Sequence, residues 1–247
     1  SPLKMFQNRG YNFVISTSCS LLHVPYTLEN EIKLRNNITK HFAFAFEKLQ
    51  ELDELKILVN NENYNNNEKY LINKKLFTDD RNAFDSAVAD RISKIKDNDF
   101  IRLPSFNERE KIQRKEFNLP LFPTTTIGSF PQTASVKAER KKFKNNQITE
   151  DEYVKFNREK IAECVALQEE IGLDVMVHGE YERNDMVEYF GEHLNGYLFT
   201  EKAWVQSYGT RCVKPPIIWG DISRNSDITV EWSVYAQSLT KKPMKGM

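Results

Sequence analysis

Residues 178–224 hold an unusual concentration of side chains that could do chemistry. An apolar run ends at His178 and Gly179 and is followed at once by Glu180. Further carboxylates, an amide and an arginine come directly after it, and a group of aromatic and reactive side chains that includes Arg211 and Cys212 lies further along. A purely structural segment rarely needs so many reactive groups, so we expect a functional site here.

Gly128, Ser129 and Glu180 could together hold both ends of an amino-acid headgroup. Gly128 would let the backbone approach a ligand closely, and the hydroxyl of Ser129 with neighbouring amides could bind a carboxylate. Glu180 could then accept an ammonium group. Each feature alone is weak evidence, because a Gly-Ser pair before Phe130-Pro131 is usually a turn.

The polar groups around Glu180 have competing interpretations. His178 could bind a metal with Glu180, but their two-residue spacing supplies no third ligand, and a structural histidine is the preferred interpretation. Glu182, Arg183 and Asp185 could form a surface set of salt bridges or part of a site.

Arg211 offers a planar cation for a carboxylate or a heterocycle, with Cys212 as a polarizable neighbour. The pair follows no predicted strand end. The pair would lie beside the groups around Glu180 only if the chain runs away from these strand ends through 204–207 and returns to them through 211–214.

Alternating strands and helices are predicted to position these side chains. One strand is expected to end at Gly128, and two others are expected over 173–177 and 215–220. One helix is expected to begin at the capping pair Thr149 and Glu152, a second after residues 184–185, and a third over 228–239. This alternation predicts an α/β fold with a parallel sheet, most simply the first part of a (β/α)8 barrel. Residues 127–129 and 178–180 should then lie side by side on one rim of the barrel.

The amino-terminal half predicts a strand over 13–18 and a helix over 29–59, in which apolar residues recur every three or four positions. Cys19 and His23 lie in the turn between this strand and helix. They could be a metal or thiol pair, loop contacts to a substrate, or ordinary packing residues. An exposed Asn-rich loop and a helix over 80–96 follow. We expect three regions: 1–59, a connector over 60–121, and a second domain over 122–247.

The composition excludes several classes of protein. Lys+Arg and Asp+Glu each number 35, so no global charge favours a nucleic acid or an acidic membrane surface. Cys19, Cys164 and Cys212 have no Cys-x-x-Cys spacing, and Cys164 is expected in the core. No apolar run could span a membrane, so we expect a cytoplasmic protein. The chain lacks an initiator Met and stops at Met247, and we expect it to be an internal piece of a longer protein.

Several of these motifs resemble the cobalamin-independent methionine synthase family. The resemblance is carried by the segments 122–133, 177–180, 182–192, 204–218 and 220–224, which are similar to that family's catalytic barrel. Upstream, 18–25 resembles the last strand and turn of its amino-terminal barrel. The region 1–59 would then be the last βα unit of an N-terminal barrel, and 122–247 the first part of a C-terminal catalytic barrel.

This resemblance implies methyl transfer from 5-methyltetrahydropteroyltri-L-glutamate to homocysteine, with a zinc ion that acidifies the thiol. Its substrates would be homocysteine and a polyglutamylated folate. The homocysteine contacts would be Ile127, Gly128, Ser129 and Glu180, and the folate contacts would be Arg211 and Cys212.

The family's zinc ligands would lie beyond Met247, so we expect this chain alone to be inactive and to hold no zinc tightly. Two alternatives stay open at this point. One is a related zinc-dependent methyltransferase of the same superfamily with another donor or acceptor, and the other is a non-catalytic fragment that at most binds ligand.

Overall fold

The computed structural model describes residues 2–79, 81 and 83–247. The chain divides into two compact units. The first contains the described residues up to Val88 together with Leu194–Ser223, and the second contains Ala89–His193 together with Arg224–Met247.

The first unit combines helices with short strands. Its helices are α1 (Pro2–Asn8), α2 (Asn36–Thr39), α3 (Ala45–Asn60), α4 (Glu68–Leu76) and the start of α5 (Ser86–Ser93). Its strands are β1 (Leu194–Leu198), β2 (Val205–Gln206), β3 (Cys212–Val213) and most of β4 (Ile217–Arg224). Strand β1 pairs with β4, and β2 pairs with β3.

The helix predicted over 29–59 is divided, and its long part begins only at Ala45. The carboxylate of Glu47 accepts hydrogen bonds from the N–H of Phe44 at 3.1 Å and from the hydroxyl of Thr27 at 2.9 Å. Glu47 therefore satisfies a free N–H where α3 starts, which fixes the first turn there. The helix predicted over 80–96 is present as α5, and Asp80 and Asn82 lie outside the described residues.

The strand predicted over 13–18 is wrong. The segment is irregular, and the side chain of Val14 is 94% exposed. A strand needs a neighbour for its peptide groups, and no described residue forms a bridge with this segment. Its apolar pattern alone could not reveal that the neighbour is missing.

The second unit is built around a long helix with the predicted ends. The helices after α5 are α6 (Phe106–Phe117), α7 (Ala134–Lys144), α8 (Glu150–Ile171), α9 (Met186–Glu192) and α10 (Val230–Ser238). Helix α8 begins with the reciprocal bonds of a capping box between Thr149 and Glu152, and Gly172 ends it at φ +87°. Asp185 caps α9 by accepting from the N–H groups of Val187 and Glu188.

The core of this unit lies between α7, α8 and α10. Its buried members are Val136, Ile161, Cys164, Val165, Tyr181 and Ala236. The expected burial of Cys164 is confirmed, since its side chain is 3% exposed. Burial raises the pKa of the Cys164 thiol and keeps it a packing group.

Three extended segments, 124–130, 174–180 and 243–245, are neighbours in this unit. Ser129 forms a parallel bridge with Gly179, and Met176 forms one with Met244. These contacts are isolated bridges, so the described residues contain two two-stranded sheets and the (β/α)8 barrel is not shown. The strand predicted over 215–220 is present from Ile217 as part of β4, but it pairs with β1 and not with these three segments, so its expected place in one parallel sheet with them is wrong.

The side chain of Gln168 supplies hydrogen bonds that a sheet would otherwise give to the middle extended segment, 174–180. Its amide nitrogen donates to the carbonyl of Val177 at 2.7 Å, and its amide oxygen accepts from the N–H of Val177 at 2.9 Å. Both peptide groups of a buried residue are thus bonded by one side chain of α8.

Candidate functional site

Gly128 and Ser129 lie beside Gly179 and Glu180, as predicted. The bridge between Ser129 and Gly179 is parallel, and the N–H of Phe130 donates to the carbonyl of Gly179 at 2.9 Å. The adjacency of 127–129 and 178–180 is therefore confirmed within the second unit. Ile127 is 80% exposed and Ser129 is also exposed, while Gly128 is buried.

Glu180 has a strained backbone and an unsatisfied carboxylate. Its φ is +59°, in the left-handed region, and the residue is only 5% exposed. Its Oε2 lies 3.7 Å from Nη1 of Arg183, whereas its Oε1 is buried without a hydrogen-bond partner. A buried carboxylate oxygen is costly to leave unpaired, so Oε1 is suited to accept a bond from a ligand.

Gly128 is required for the close approach at this point. A Cβ there would stand 2.6 Å from Oε1 of Glu180 and 2.7 Å from Cε of Met247. With φ at +139°, the backbone also favours glycine. The side chains of Glu180 and Met247 therefore both lie close to the backbone at Gly128.

His178, Glu182 and Arg183 form one buried network rather than a surface set. Nε2 of His178 lies 3.1 Å from Oε1 of Glu182, and Nε of Arg183 donates to the same oxygen at 2.8 Å. The three residues are 1%, 8% and 3% exposed. The surface salt-bridge interpretation is wrong for Glu182 and Arg183, while Asp185 serves as a helix cap. The preferred interpretation of His178 as a hydrogen-bonded structural residue is confirmed.

The charge of Glu182 depends on its partners. Burial opposes ionisation, but the hydrogen bond and charge of His178 and the charge of Arg183 outweigh it, and the pKa of the Glu182 carboxyl is lowered. Glu182 is therefore an anion that holds the Arg183 cation in place.

The sequence did not reveal the role of Arg140. Its Nη2 donates to the carbonyls of Tyr181 and Arg183, both at 2.7 Å, and to Oε1 of Gln132 at 2.6 Å. Arg140 comes four residues after the core residue Val136 on α7, so both lie on the buried face. A charge at a core position was the available signal.

Two aromatic rings around Arg183 were also missed. Its guanidinium lies 5.2 Å from the ring centre of Tyr189 and 5.3 Å from that of Phe190. Such contacts stabilise a desolvated cation. Burial raises the pKa of Tyr189 to about 12, with the charge of Glu182 acting in the same direction.

A cavity of about 660 Å³ lies in the same unit, lined among others by Arg140, Tyr153, Tyr189 and Trp232. Gly128, Ser129 and Glu180 are not among the residues that line it. The candidate headgroup contacts therefore do not face this open space.

Arg211 and Cys212 lie on a hairpin in the first unit. Strands β2 and β3 are antiparallel, with Val205 opposite Val213 and Gln206 opposite Cys212. The N–H of Ser207 donates to the carbonyl of Arg211 at 2.9 Å, which closes the turn. The chain thus runs out through β2 and back through β3, as that condition requires, and the pair lies in the first unit while Glu180 lies in the second. Both side chains are exposed.

Cys19 and His23 show no cluster suited to a metal. Cys19 is exposed, and Nδ1 of His23 lies 3.3 Å from the carbonyl of Gln206. Within residues 2–79, 81 and 83–247, no three His, Cys, Asp or Glu side chains come together as metal ligands. These residues therefore do not fit a zinc site. In the same described stretches, no helix has the length and apolar character needed to cross a bilayer.

The chain is similar to known proteins over nearly its whole length. Residues 122–247 match the family model described as the catalytic domain of the cobalamin-independent synthase. The chain is 55% identical over 245 residues to the 5-methyltetrahydropteroyltriglutamate–homocysteine methyltransferase of Campylobacter jejuni (strain RM1221), covering 99% of this chain and 32% of that protein. The Bifidobacterium adolescentis protein of the same name is 57% identical over 238 residues, covering 96% of this chain and 31% of the relative.

This chain thus spans about a third of the length of these curated relatives. A solved structure of a B12-independent methionine synthase from Shewanella sp. W3-18-1, in complex with selenomethionine, gives a TM-score of 0.42 at 24% identity, over 51% of this chain and 37% of that chain.

Proposed function

Because this chain belongs to the cobalamin-independent methionine synthase family, we propose that it is part of an enzyme that transfers the methyl group of 5-methyltetrahydropteroyltriglutamate to homocysteine. The observation that carries this proposal is the free, buried Oε1 of Glu180 beside Gly128. An amino acid presents an ammonium group and a carboxylate close together, and Glu180 with the neighbouring segment 127–129 offers a partner for each.

Homocysteine binds, in this proposal, through the neighbouring segments 127–129 and 174–180. Oε1 of Glu180 accepts a hydrogen bond from the ammonium group, and Ser129 with the backbone around Ile127 and Gly128 binds the carboxylate. The parallel bridge between Ser129 and Gly179 supports this pairing, since it fixes the spacing of the two contacts.

Folate binds, in this proposal, through Arg211 and Cys212. The exposed guanidinium on the hairpin can contact a carboxylate or the edge of a heterocycle, and the exposed thiol lies next to it in sequence. The two contact groups lie in different units of the chain, and their roles rest on the family resemblance.

Zinc remains a predicted cofactor of the complete enzyme. The described residues hold no group of three candidate ligands, so we assign them no part in activating the homocysteine thiol. Their proposed contribution is to bind and orient the two substrates.

We place the chain, as a proposal, in two (β/α)8 barrels in a cytoplasmic enzyme. The amino-terminal barrel would contribute 1–59, whose predicted strand over 13–18 is absent from the structure, the connector would be 60–121, and the first part of the catalytic barrel would be 122–247. The parallel neighbours 124–130, 174–180 and 243–245 support the last assignment, and the free cysteines of the described chain suit a reducing compartment.

The substitution Glu180→Gln in the full-length enzyme tests the proposed function. The neutral amide keeps the shape of the side chain but loses the charge-assisted bond to the ammonium group. We expect the KM for homocysteine to rise roughly tenfold to a hundredfold and the KM for the folate to change little. Steady-state kinetics with each substrate varied in turn measures both.

Glu139→Gln is the matched control, because Glu139 pairs with Lys142 on the surface of α7 in the same unit. It should leave both KM values unchanged. An unchanged homocysteine KM in Glu180→Gln would contradict the proposed role of Glu180.

A further inference from the structure

We propose that Arg183 is a positioning residue for recognition of the amino-acid headgroup. It holds Oε2 of Glu180 and thereby keeps Oε1 turned toward Gly128. This inference rests on the proposed function, since it takes Glu180 as the acceptor for the ammonium group.

Arg183 is itself held at two of its three side-chain nitrogen atoms. Its Nε donates to Oε1 of Glu182 at 2.8 Å, and its Nη2 donates to the carbonyl of Met247 at 2.8 Å. The rings of Tyr189 and Phe190 lie 5.2 and 5.3 Å from the guanidinium carbon. A planar group bonded along two edges and contacted by two rings has little freedom to rotate, so its position is fixed before substrate arrives.

Glu182 connects Arg183 to the middle extended segment. Its Oε1 lies 3.1 Å from Nε2 of His178, which belongs to that segment. His178, Glu182 and Arg183 are each buried, which limits the access of water to their bonds. The network transmits the position of the backbone at His178 to the guanidinium of Arg183.

The remaining amino group of Arg183 faces Glu180. Nη1 lies 3.7 Å from Oε2, and the two side chains are 2% and 7% exposed. Nη1 has no hydrogen-bond partner, and neither has Oε1 of Glu180. Arg183 therefore contacts one carboxylate oxygen as a charge and leaves the other open. A carboxylate held at one oxygen presents the second in a constant direction, which is what directional bonding to an ammonium group requires.

A double-mutant cycle in the full-length enzyme tests this inference, with Arg183→Met, Glu180→Gln and their combination. We expect Arg183→Met to raise the KM for homocysteine roughly tenfold and to leave the KM for the folate unchanged. In the Glu180→Gln background, the same substitution should raise the homocysteine KM no further, because Arg183 acts through the Glu180 carboxylate.

Arg183→Lys is the second variant, and it decides the matter if Arg183→Met does not fold. Lysine keeps a cation beside Glu182 but cannot bond Glu182 and Met247 while facing Glu180. We expect a homocysteine KM between those of the wild type and Arg183→Met, and again no added effect in the Glu180→Gln background. A KM equal to that of the wild type would overturn the inference.

Arg158→Met is the matched control. Arg158 lies in the same unit, pairs with Glu231 at 2.8 Å and lies 5.1 Å from the ring centre of Tyr235. It should leave the homocysteine KM unchanged.

The outcomes separate the two proposals. If the effects of Arg183→Met and Glu180→Gln multiply in the double variant, Arg183 has only a structural role and the inference is wrong. If Glu180→Gln raises the homocysteine KM but Arg183→Met does not, only the inference fails. If Glu180→Gln leaves the homocysteine KM unchanged, the proposed binding role of Glu180 is wrong, and the inference about Arg183 is wrong with it.

Discussion

The two groups of candidate contacts are built in opposite ways. Around Glu180, each neighbouring charge is buried and bonded within the protein. Arg140 also donates hydrogen bonds to the backbone carbonyls of Tyr181 and Arg183, which holds the loop after Glu180 in place. The hairpin that carries Arg211 and Cys212 is short, these two side chains are exposed, and its pairing covers two residues on each side.

This difference teaches how each region could recognise a ligand. A buried carboxylate held beside a fixed arginine is preorganised, so it can discriminate the position of one small polar group. An exposed arginine on a short hairpin is accessible from solvent, which suits contact with a larger, partly solvated ligand. The comparison predicts that substitutions near Glu180 change stability strongly, whereas substitutions on the hairpin change it little.

Glu182→Ala is expected to have the largest effect on stability, and it is therefore the strongest test of this comparison. The substitution leaves Arg183 buried without its carboxylate, and we expect the free energy of unfolding to fall by about 3–5 kcal/mol. Urea denaturation of the full-length enzyme measures this. Glu231→Ala removes the exposed partner of Arg158 and should cost at most about 1 kcal/mol. Equal losses in the two variants would show that the buried network is not special.

Acid should weaken the region around Glu180 through Glu182. The pKa of Glu182 in the folded state lies below its ordinary value of 4.5. Its contribution to stability is therefore present above pH 4.5 and is lost as the pH falls through the lower folded-state pKa. Unfolding measured at a series of pH values should show a steeper acid decline in the wild type than in Glu182→Gln. Parallel curves would contradict this.

Arg211→Ala should have the smallest effect on stability. The side chain is exposed, and we expect the free energy of unfolding to change by about 0.5 kcal/mol or less. The proposed role in folate binding predicts a severalfold higher KM for the folate at an unchanged homocysteine KM. Arg35→Ala, another exposed arginine of the first unit, should change neither KM. A large loss of stability in Arg211→Ala would mean that the hairpin is as rigid as the Glu180 region.

The sequence predicted those features that depend on local chemistry. Thr149, Glu152 and Gly172 specify both ends of α8 by bonds within a few residues, and the structure has both ends there. The adjacency of Gly128 and Glu180 followed from the rule that parallel strands end at one edge, and the bridge at Gly179 confirms it.

Features that depend on distant partners were not predicted. Residues 13–18 have the apolar pattern of a strand but no neighbour among the described residues. Gln168 bonds both peptide groups of Val177, and a glutamine on a helix gives no sign of this in sequence. The contacts of Arg140 and Arg183 were not predicted, because the pattern of one segment does not show which carbonyls or rings will surround a cation.

The left-handed backbone of Glu180 has a consequence for how stability and function compete at this position. A residue with a Cβ loses roughly 1–2 kcal/mol in that conformation, and glycine does not. With φ at +59° and a buried oxygen that nothing satisfies, Glu180 is a poor choice by the criterion of stability alone. Glycine at position 180 would remove this backbone cost but also the proposed acceptor for the ammonium group, so the proposed role of the carboxylate implies a trade of folding free energy for chemistry.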